Sequence, residues 1–302
     1  MPIFNLTNGA DIFPSGVVNS GDDTIYGGDD SDAINGGLGA DNLYGGLGND
    51  TLHGNEDNDF VYGDEGADNI FGDAGDDTVD GGDGNDTVQG NAGADSVLGG
   101  AGDDKLYGQA DNDQLFGGDG NDLMDGGAGA DAFDGNDGFD TVTYRAAAGG
   151  IRVDVDGNTD TGVAIGDTFA NVERYWLGTG NDTFIGGAAG AEAWGIEGND
   201  TLIGGAGADK LNGGIGDDTM TGGGESDTFV ISAGLSGNDT ITDWVDATDY
   251  IQIYGASATQ FSDLVITDNA GSALITLPDG STITLSGVDF NTVDNSDFIW
   301  GP

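Results

Sequence analysis

From Asp23 onward an aspartate falls at every ninth residue, without a miss, for fourteen units. They are Asp23, Asp32, Asp41, Asp50, Asp59, Asp68, Asp77, Asp86, Asp95, Asp104, Asp113, Asp122, Asp131 and Asp140. Two residues after each stands an apolar side chain, from Ile25, Ile34 and Leu43 through to Phe133 and Val142. A glycine usually lies two residues before the aspartate, and Gly or Gly-Gly opens most units. GGLGADNLY (36–44), GGDGNDTVQ (81–89) and GGAGDDKLY (99–107) are clear copies. Chance does not hold such a register over fourteen units, so the repeat governs what the chain can fold into.

The unit resembles the calcium-binding nonapeptide of the repeats-in-toxin (RTX) family, strongly over residues 18–143 and 177–230 and more loosely beyond. The resemblance implies an all-β fold: a parallel β-roll, a right-handed β-solenoid with two nonapeptides, about 18 residues, per coil. A C-terminal β cap closes it. Each nonapeptide divides into a turn at positions one to six and a three-residue strand at positions seven to nine. Glycines let the turn adopt positive φ, and the strand sends its middle residue inward. Two repeats complete one coil. Turns then stack in two columns, one running from Asp23 and Asp41 to Asp131, the other from Asp32 and Asp50 to Asp140.

Composition makes this fold conditional. The chain carries 5 basic and 56 acidic residues, a formal net charge of −51, with 61 glycines and no cysteine. Residues 18–143 alone hold 31 acidic residues against Lys105, a net of −30. Such a chain repels itself when stacked, and one apolar side chain per nine residues is a thin core. Alone, this composition reads as disordered. Something must bind that offsets charge and chain entropy together, and divalent cations do both. Nucleic acid is excluded as a partner for want of a basic patch. Anionic membrane surfaces are disfavoured for the same reason. No apolar run is long enough to insert in a membrane. The opening MPIFNLTNGADIF has neither the basic nor the apolar region of a cleaved secretion signal.

The chain divides into a lead-in cap (1–17), the long array (18–143), a spacer expected to continue the solenoid with longer strands (144–176), a second array (177–243) and a C-terminal β cap with a secretion module (244–302). In the second array Asp182, Asp200, Asp209, Asp218 and Asp227 keep register, and Asp239 follows after a three-residue slip. Ala191 stands where an aspartate belongs. Glycine thins out after 244, and Pro278-Asp279-Gly280 marks a hairpin turn.

Calcium takes six to eight oxygens in loose geometry, whereas magnesium demands a tight octahedron. A gap between stacked turns offers backbone carbonyls and one aspartate from each of repeats n and n+2. Fourteen repeats leave at most twelve gaps, and 182/200, 200/218 and 209/227 add three, so about fifteen calcium ions are expected. A break is expected near 186–194. Twelve ions bring roughly +24 against the −30 of the long array, a near-balance that suits a structural role for the metal.

Other constellations are weaker. His53, the sole histidine, falls at position nine and should point outward, which leaves no zinc motif and no hydrolase triad. Asp154-x-Asp156-x-Asn158 hints at an EF-hand loop, but Thr159 replaces its glycine and Ile165 its closing glutamate. Tyr26, Tyr44 and Tyr62 recur at every second repeat, once per coil, and should stack on one outer face. The expected function is a secreted, non-enzymatic calcium-binding protein that folds on meeting millimolar calcium. The family resemblance implies export by the type I secretion machinery of a Gram-negative bacterium. Adhesin or surface-layer component, with a cell-surface or self-association partner, is the alternative. The C-terminal fragment of a larger secreted enzyme or toxin is another. Ice binding needs flat Thr/Asn arrays that position three does not supply.

Overall fold

The computed structural model describes residues 3–5, 21–157, 160–232, 234, 236–255 and 258–300. Most of the lead-in cap, with Asn158 and Thr159 of the EF-hand-like stretch, therefore lies outside the described residues.

The repeat folds into strands longer than three residues. Thr51–Glu56 is typical: six residues, followed by a bend at 57–59 and the next strand, Phe60–Glu65. The strand runs from position seven through position three of the following unit, and only positions four to six form the bend. Along Thr51–Glu56 both Leu52 and Gly54 face inward. The opening glycine is thus a core residue of the strand and not part of the turn. Positive φ falls instead at positions two and four, as at Asn55 (83°) and Asp57 (75°). Asn and Asp are the side chains best able to take that conformation where glycine is absent.

Two compact units result. The first comprises residues 1–143 and 163–172. One face is a parallel sheet of nine strands, among them Thr24–Gly28, Asn42–Leu47, Phe60–Glu65 and Thr78–Asp83, ending with Thr168–Ala170. The other face stacks Ala33–Leu38, Thr51–Glu56, Asn69–Ala74 and their successors to Thr141–Thr143. Each strand pairs with its counterpart two repeats on: Ile25 with Leu43, Leu43 with Val61, Ile34 with Leu52. One apolar residue per strand fills the space between the sheets, and from Ile25 to Val142 these side chains are 0–2% exposed. The all-β parallel solenoid with about 18 residues per coil is the fold that the repeat demanded.

The second unit comprises residues 144–162 and 173–302. Arg174–Trp176, Glu192–Trp194, Lys210–Asn212, Thr228–Ser232, Tyr250–Tyr254 and Phe298–Trp300 pair in parallel. A second sheet runs from Arg152–Asp154 through Thr201–Gly205 to Thr282–Leu285. There the pairing turns antiparallel, through Ser272–Thr276 and Val265–Asn269. The expected hairpin turn is present: the Asp279 carboxylate accepts from the Ser281 backbone N–H at 2.8 Å.

Spacer strands are shorter than expected, not longer. Arg152–Asp154, Thr168–Ala170 and Arg174–Trp176 have three residues each. Strand-forming residues come here in threes, separated by Ala-, Gly- and Asp-rich stretches that extend poorly. Residues 163–172 belong to the first unit and the remainder of the spacer to the second.

Candidate metal columns

The fourteen aspartates of the long array are 0–4% exposed. Burying a carboxylate is costly unless it is hydrogen-bonded and its charge is met. Hydrogen bonding is supplied by a ladder. From Asp23 to Asp122 the backbone N–H of each ladder aspartate donates to Oδ1 of its counterpart in the next coil: Asp23 to Asp41 at 2.7 Å, Asp68 to Asp86 and Asp86 to Asp104 at 2.8 Å, and Asp122 to Asp140 at 2.8 Å. The aspartate carbonyl accepts from the next coil in the same direction, as Asn42 N–H donates to Asp23 at 2.9 Å. From Asp41 to Asp140 each ladder carboxylate therefore reaches back to the preceding coil of its own column.

Oδ2 has no such partner. In Asp41, Asp50, Asp59, Asp68, Asp77, Asp86, Asp95, Asp104, Asp113, Asp122 and Asp131 it is buried and accepts no hydrogen bond. It faces the inward glycine at position one. A methyl group at Gly72 would stand 2.5 Å from Asp77 Oδ2 and 2.9 Å from the carbonyl oxygen of Gly90, one coil on. At Gly36 the corresponding oxygens belong to Asp41 and Gly54, at 2.5 and 2.8 Å. A carboxylate oxygen and a peptide oxygen from successive coils thus converge on one point that only glycine leaves open. The donors are all hard oxygens. Among the described residues no three His, Cys, Asp or Glu side chains gather as a metal cluster, so further ligands have to be backbone carbonyls. That donor set fits calcium, which accepts carbonyl and carboxylate oxygens alike.

Electrostatics point the same way. Burial pushes the Asp59 carboxyl up to about 8, with the Asp77 and Asp41 charges adding to it and the Asp41 N–H opposing. Burial likewise raises Asp68, Asp77, Asp104 and Asp113 to about 7, and Asp41 and Asp95 to about 6. Asp86, Asp122 and Asp131 shift upward for the same reason. These carboxylates are ionised at a cost that a cation would remove.

The second unit repeats the pattern. Asp182 donates to Asp200, Asp200 to Asp218 and Asp209 to Asp227, at 2.8–2.9 Å. Oδ2 of Asp200, Asp209 and Asp218 is again buried without a hydrogen bond. Asp239 joins across the slip, accepting from Asp218 at 3.2 Å, and burial raises it to about 8. Ala191 keeps the backbone half of the ladder, donating to Asp209 at 2.7 Å, but brings no carboxylate.

Two ladder members were not singled out from the sequence: Asp167, which keeps the nine-residue register of the long array beyond an interruption, and Asp249, which falls outside it. Asp167 accepts from Asp131 at 2.8 Å across a gap of 36 residues, and Asp249 accepts from Asp227 at 3.1 Å across 22. Both are buried. Each opens the local pattern aspartate, any residue, large apolar: Asp167-Thr168-Phe169 and Asp249-Tyr250-Ile251. A search for that triplet without fixed spacing finds them. A second, outer ladder was also unforeseen. At position five the backbone N–H donates to the equivalent side chain one coil earlier, as Asp76 to Asn58, Ala94 to Asp76 and Asp103 to Asn85, at 3.0–3.1 Å. It runs opposite to the inner ladder, so the gap between turns is bridged from both sides.

The remaining sequence candidates fall into place. His53 lies on an outer sheet face, stacked on Phe71 (4.4 Å) and bonded to Asp73 (2.8 Å). Tyr26, Tyr44 and Tyr62 stack at 4.9 and 5.2 Å. Asp154 N–H donates to Asp160 Oδ1 at 2.7 Å, a local turn.

The family model for the RTX calcium-binding nonapeptide repeat matches residues 17–43, 44–79, 53–88, 80–115, 107–142, 173–189 and 194–229, more than half of the chain. The chain belongs to the RTX calcium-binding repeat family. Calcium ions are accordingly its partners. No curated protein matches it. Among solved structures it is similar to the extracellular lipase LipA from Serratia marcescens, with 18% identity and a TM-score of 0.31. That alignment covers 94% of this chain and 40% of the lipase, so the RTX chain spans less than half of that protein's length.

Proposed function

We propose that this RTX chain is a secreted, calcium-dependent folding module without enzymatic chemistry of its own, exported through a type I pathway and folding where calcium is millimolar. The observation that carries the reading is the stack of buried Oδ2 atoms, repeated coil after coil without a hydrogen bond and facing a carbonyl of the next coil. The twenty register aspartates act as ligands, each ion lying between turns n and n+2, with about fifteen ions in all. Asp167 and Asp249 extend the columns by their geometry. In low calcium the carboxylates repel one another and the thin core does not hold the coils together, which keeps the chain open for export. The engagement of His53 with Asp73 and Phe71 on an outer face supports a non-catalytic reading.

Limited proteolysis of the full chain tests this. At calcium buffered near a cytosolic level, cleavage should spread along residues 21–300. At millimolar calcium both units should resist. Equal resistance at the two levels would remove the calcium dependence from the account.

A further inference from the structure

The chain has only five Lys and Arg residues, and three of them, Arg145, Arg174 and Lys210, cluster on one outer face of the second unit. There Arg174–Trp176, Glu192–Trp194 and Lys210–Asn212 run side by side, placing Trp176 beside Trp194 and Trp194 beside Asn212. Glu192 is the hub. Its carboxylate accepts from Arg174 at 2.7 and 3.0 Å, from Lys210 at 3.0 Å and from the Trp194 indole N–H at 3.1 Å. Burial pushes this carboxyl up, but the two cations outweigh it and hold it below its usual range. The Trp194 indole is thereby tied to Glu192 on its own strand.

Above this hub is a cavity of about 280 Å³ lined by Arg145, Trp176, Trp194, Ile196, Asn212 and Ile215, among others. Arg145 lies 4.9 Å over the Trp176 ring, with Arg174 at 5.9 Å. Asn212 is 5% exposed, and its Oδ1 accepts no hydrogen bond. An orphaned buried carbonyl is costly in a merely structural sheet, and here it lines a cavity walled by indole rings.

We infer that this cavity binds one neutral hexopyranose ring of a glycan. A pyranose presents an apolar C–H face that suits the Trp194 indole, and hydroxyls at its rim. One hydroxyl donates to Asn212 Oδ1, and the Arg145 guanidinium donates to another. A wholly apolar ligand would leave Asn212 unmet. A cation would meet Arg145, and a nucleic acid meets the −51 net charge. The volume of about 280 Å³ accommodates a hexopyranose ring.

The test titrates the calcium-loaded full chain with neutral gluco-, galacto- and manno-oligosaccharides, followed by tryptophan fluorescence and calorimetry. At least one should saturate with a dissociation constant of order 1 mM, the value expected for about twelve non-hydrogen atoms at one shallow site. Trp194→Ala and Asn212→Leu should each weaken it by about tenfold or more, with the calcium-induced circular dichroism unchanged. Asn212→Leu replaces an unmet polar group by an apolar one of similar size, so it should fold. No saturable response to any neutral sugar would overturn the inference. So would equal affinity in Asn212→Leu, or binding confined to uronates and abolished by salt.

Discussion

Asp86 shows what one residue does in this fold. Its Oδ1 accepts from Asp68, its N–H donates to Asp104, and its Oδ2 is buried without a hydrogen bond. Two substitutions separate the roles. Asp86→Asn keeps an oxygen for the Asp68 N–H but loses the anionic ligand, so the calcium midpoint should rise by a few-fold while cooperative folding survives. Asp86→Ala also leaves the Asp68 N–H unmet in a buried setting, a further cost of about 1–3 kcal/mol. Its titration should shift further and flatten, and ion counting should show about two ions fewer if, as proposed, the residue serves ions on both sides of its turn. An unchanged midpoint and ion count in both variants would mean that Asp86 is no ligand. Gly72→Ala tests the other half of the site. Its methyl would press on Asp77 Oδ2 and on the Gly90 backbone, so local stability should fall by about 2 kcal/mol or more, read as faster amide exchange across residues 69–92. Aspartates in register were legible in the sequence because burial of a charge recurs only where something repays it. The inward glycine was legible as a position but not as a role. Its spacing is the same whether it supplies positive φ or clears space, and only the oxygens facing it decide between the two.

At the scale of the element, the nine-residue unit announced strands, a bend and two columns, and the inward positions from Ile25 to Val142 followed directly. Strand length did not follow. Positions one to three are glycine-rich and look like turn, yet inter-coil pairing such as Gly100 with Gly118 and Ala101 with Asp119 keeps them extended. Non-local hydrogen bonding overrides local propensity there. The outer position-five ladder was hidden for a related reason: Asn and Asp in a turn look like ordinary turn formers until the partner coil is in place. Asp249 was missed because a fixed spacing was imposed on a chain that inserts loops between coils, and Asp167, although in register, was hidden by Gly149 and Asn158 at the two preceding positions of the period. The degenerate unit at 186–194 offers a gain-of-function test. Ala191 already donates to Asp209, so Ala191→Asp restores only the missing carboxylate. It should add one or two bound ions and steepen the calcium titration, measured by ion counting on the desalted protein. No gain in ions would show that this turn is unfit for reasons beyond the side chain.

At the scale of the whole molecule, charge sets the conditions that the proposed calcium-dependent folding has to meet. Burial raises many ladder carboxylates, to about 6 at Asp41 and about 8 at Asp59 and Asp239. A raised carboxyl means that the calcium-free fold holds protons more tightly than the open chain. Stability of the calcium-free fold is therefore greatest below the ordinary carboxylate value near 4, and is lost as pH rises through about 6–8. In chelator, β signal should grow on acidification from pH 8 to pH 4.5. With calcium the dependence reverses, because metal and protons compete for the same oxygens. The calcium midpoint should rise as pH falls from 8 to 6, with protons released on binding. A midpoint independent of pH in that range would mean that the raised carboxyls are not the ligands. The net charge of −51 pointed to a cation from the sequence alone. The clustering of scarce cations around Glu192 was not legible there, since Arg174, Glu192 and Lys210 meet only through the pairing of strands in successive coils. The measurement that bears most directly on the account is a calcium titration of the full chain by far-UV circular dichroism, with bound ions counted in parallel. The spectrum should be coil-like in EDTA and turn cooperatively to β at millimolar calcium, with about fifteen ions bound at the plateau. A β spectrum that persists in EDTA, or a plateau reached with only a few ions bound, would contradict it.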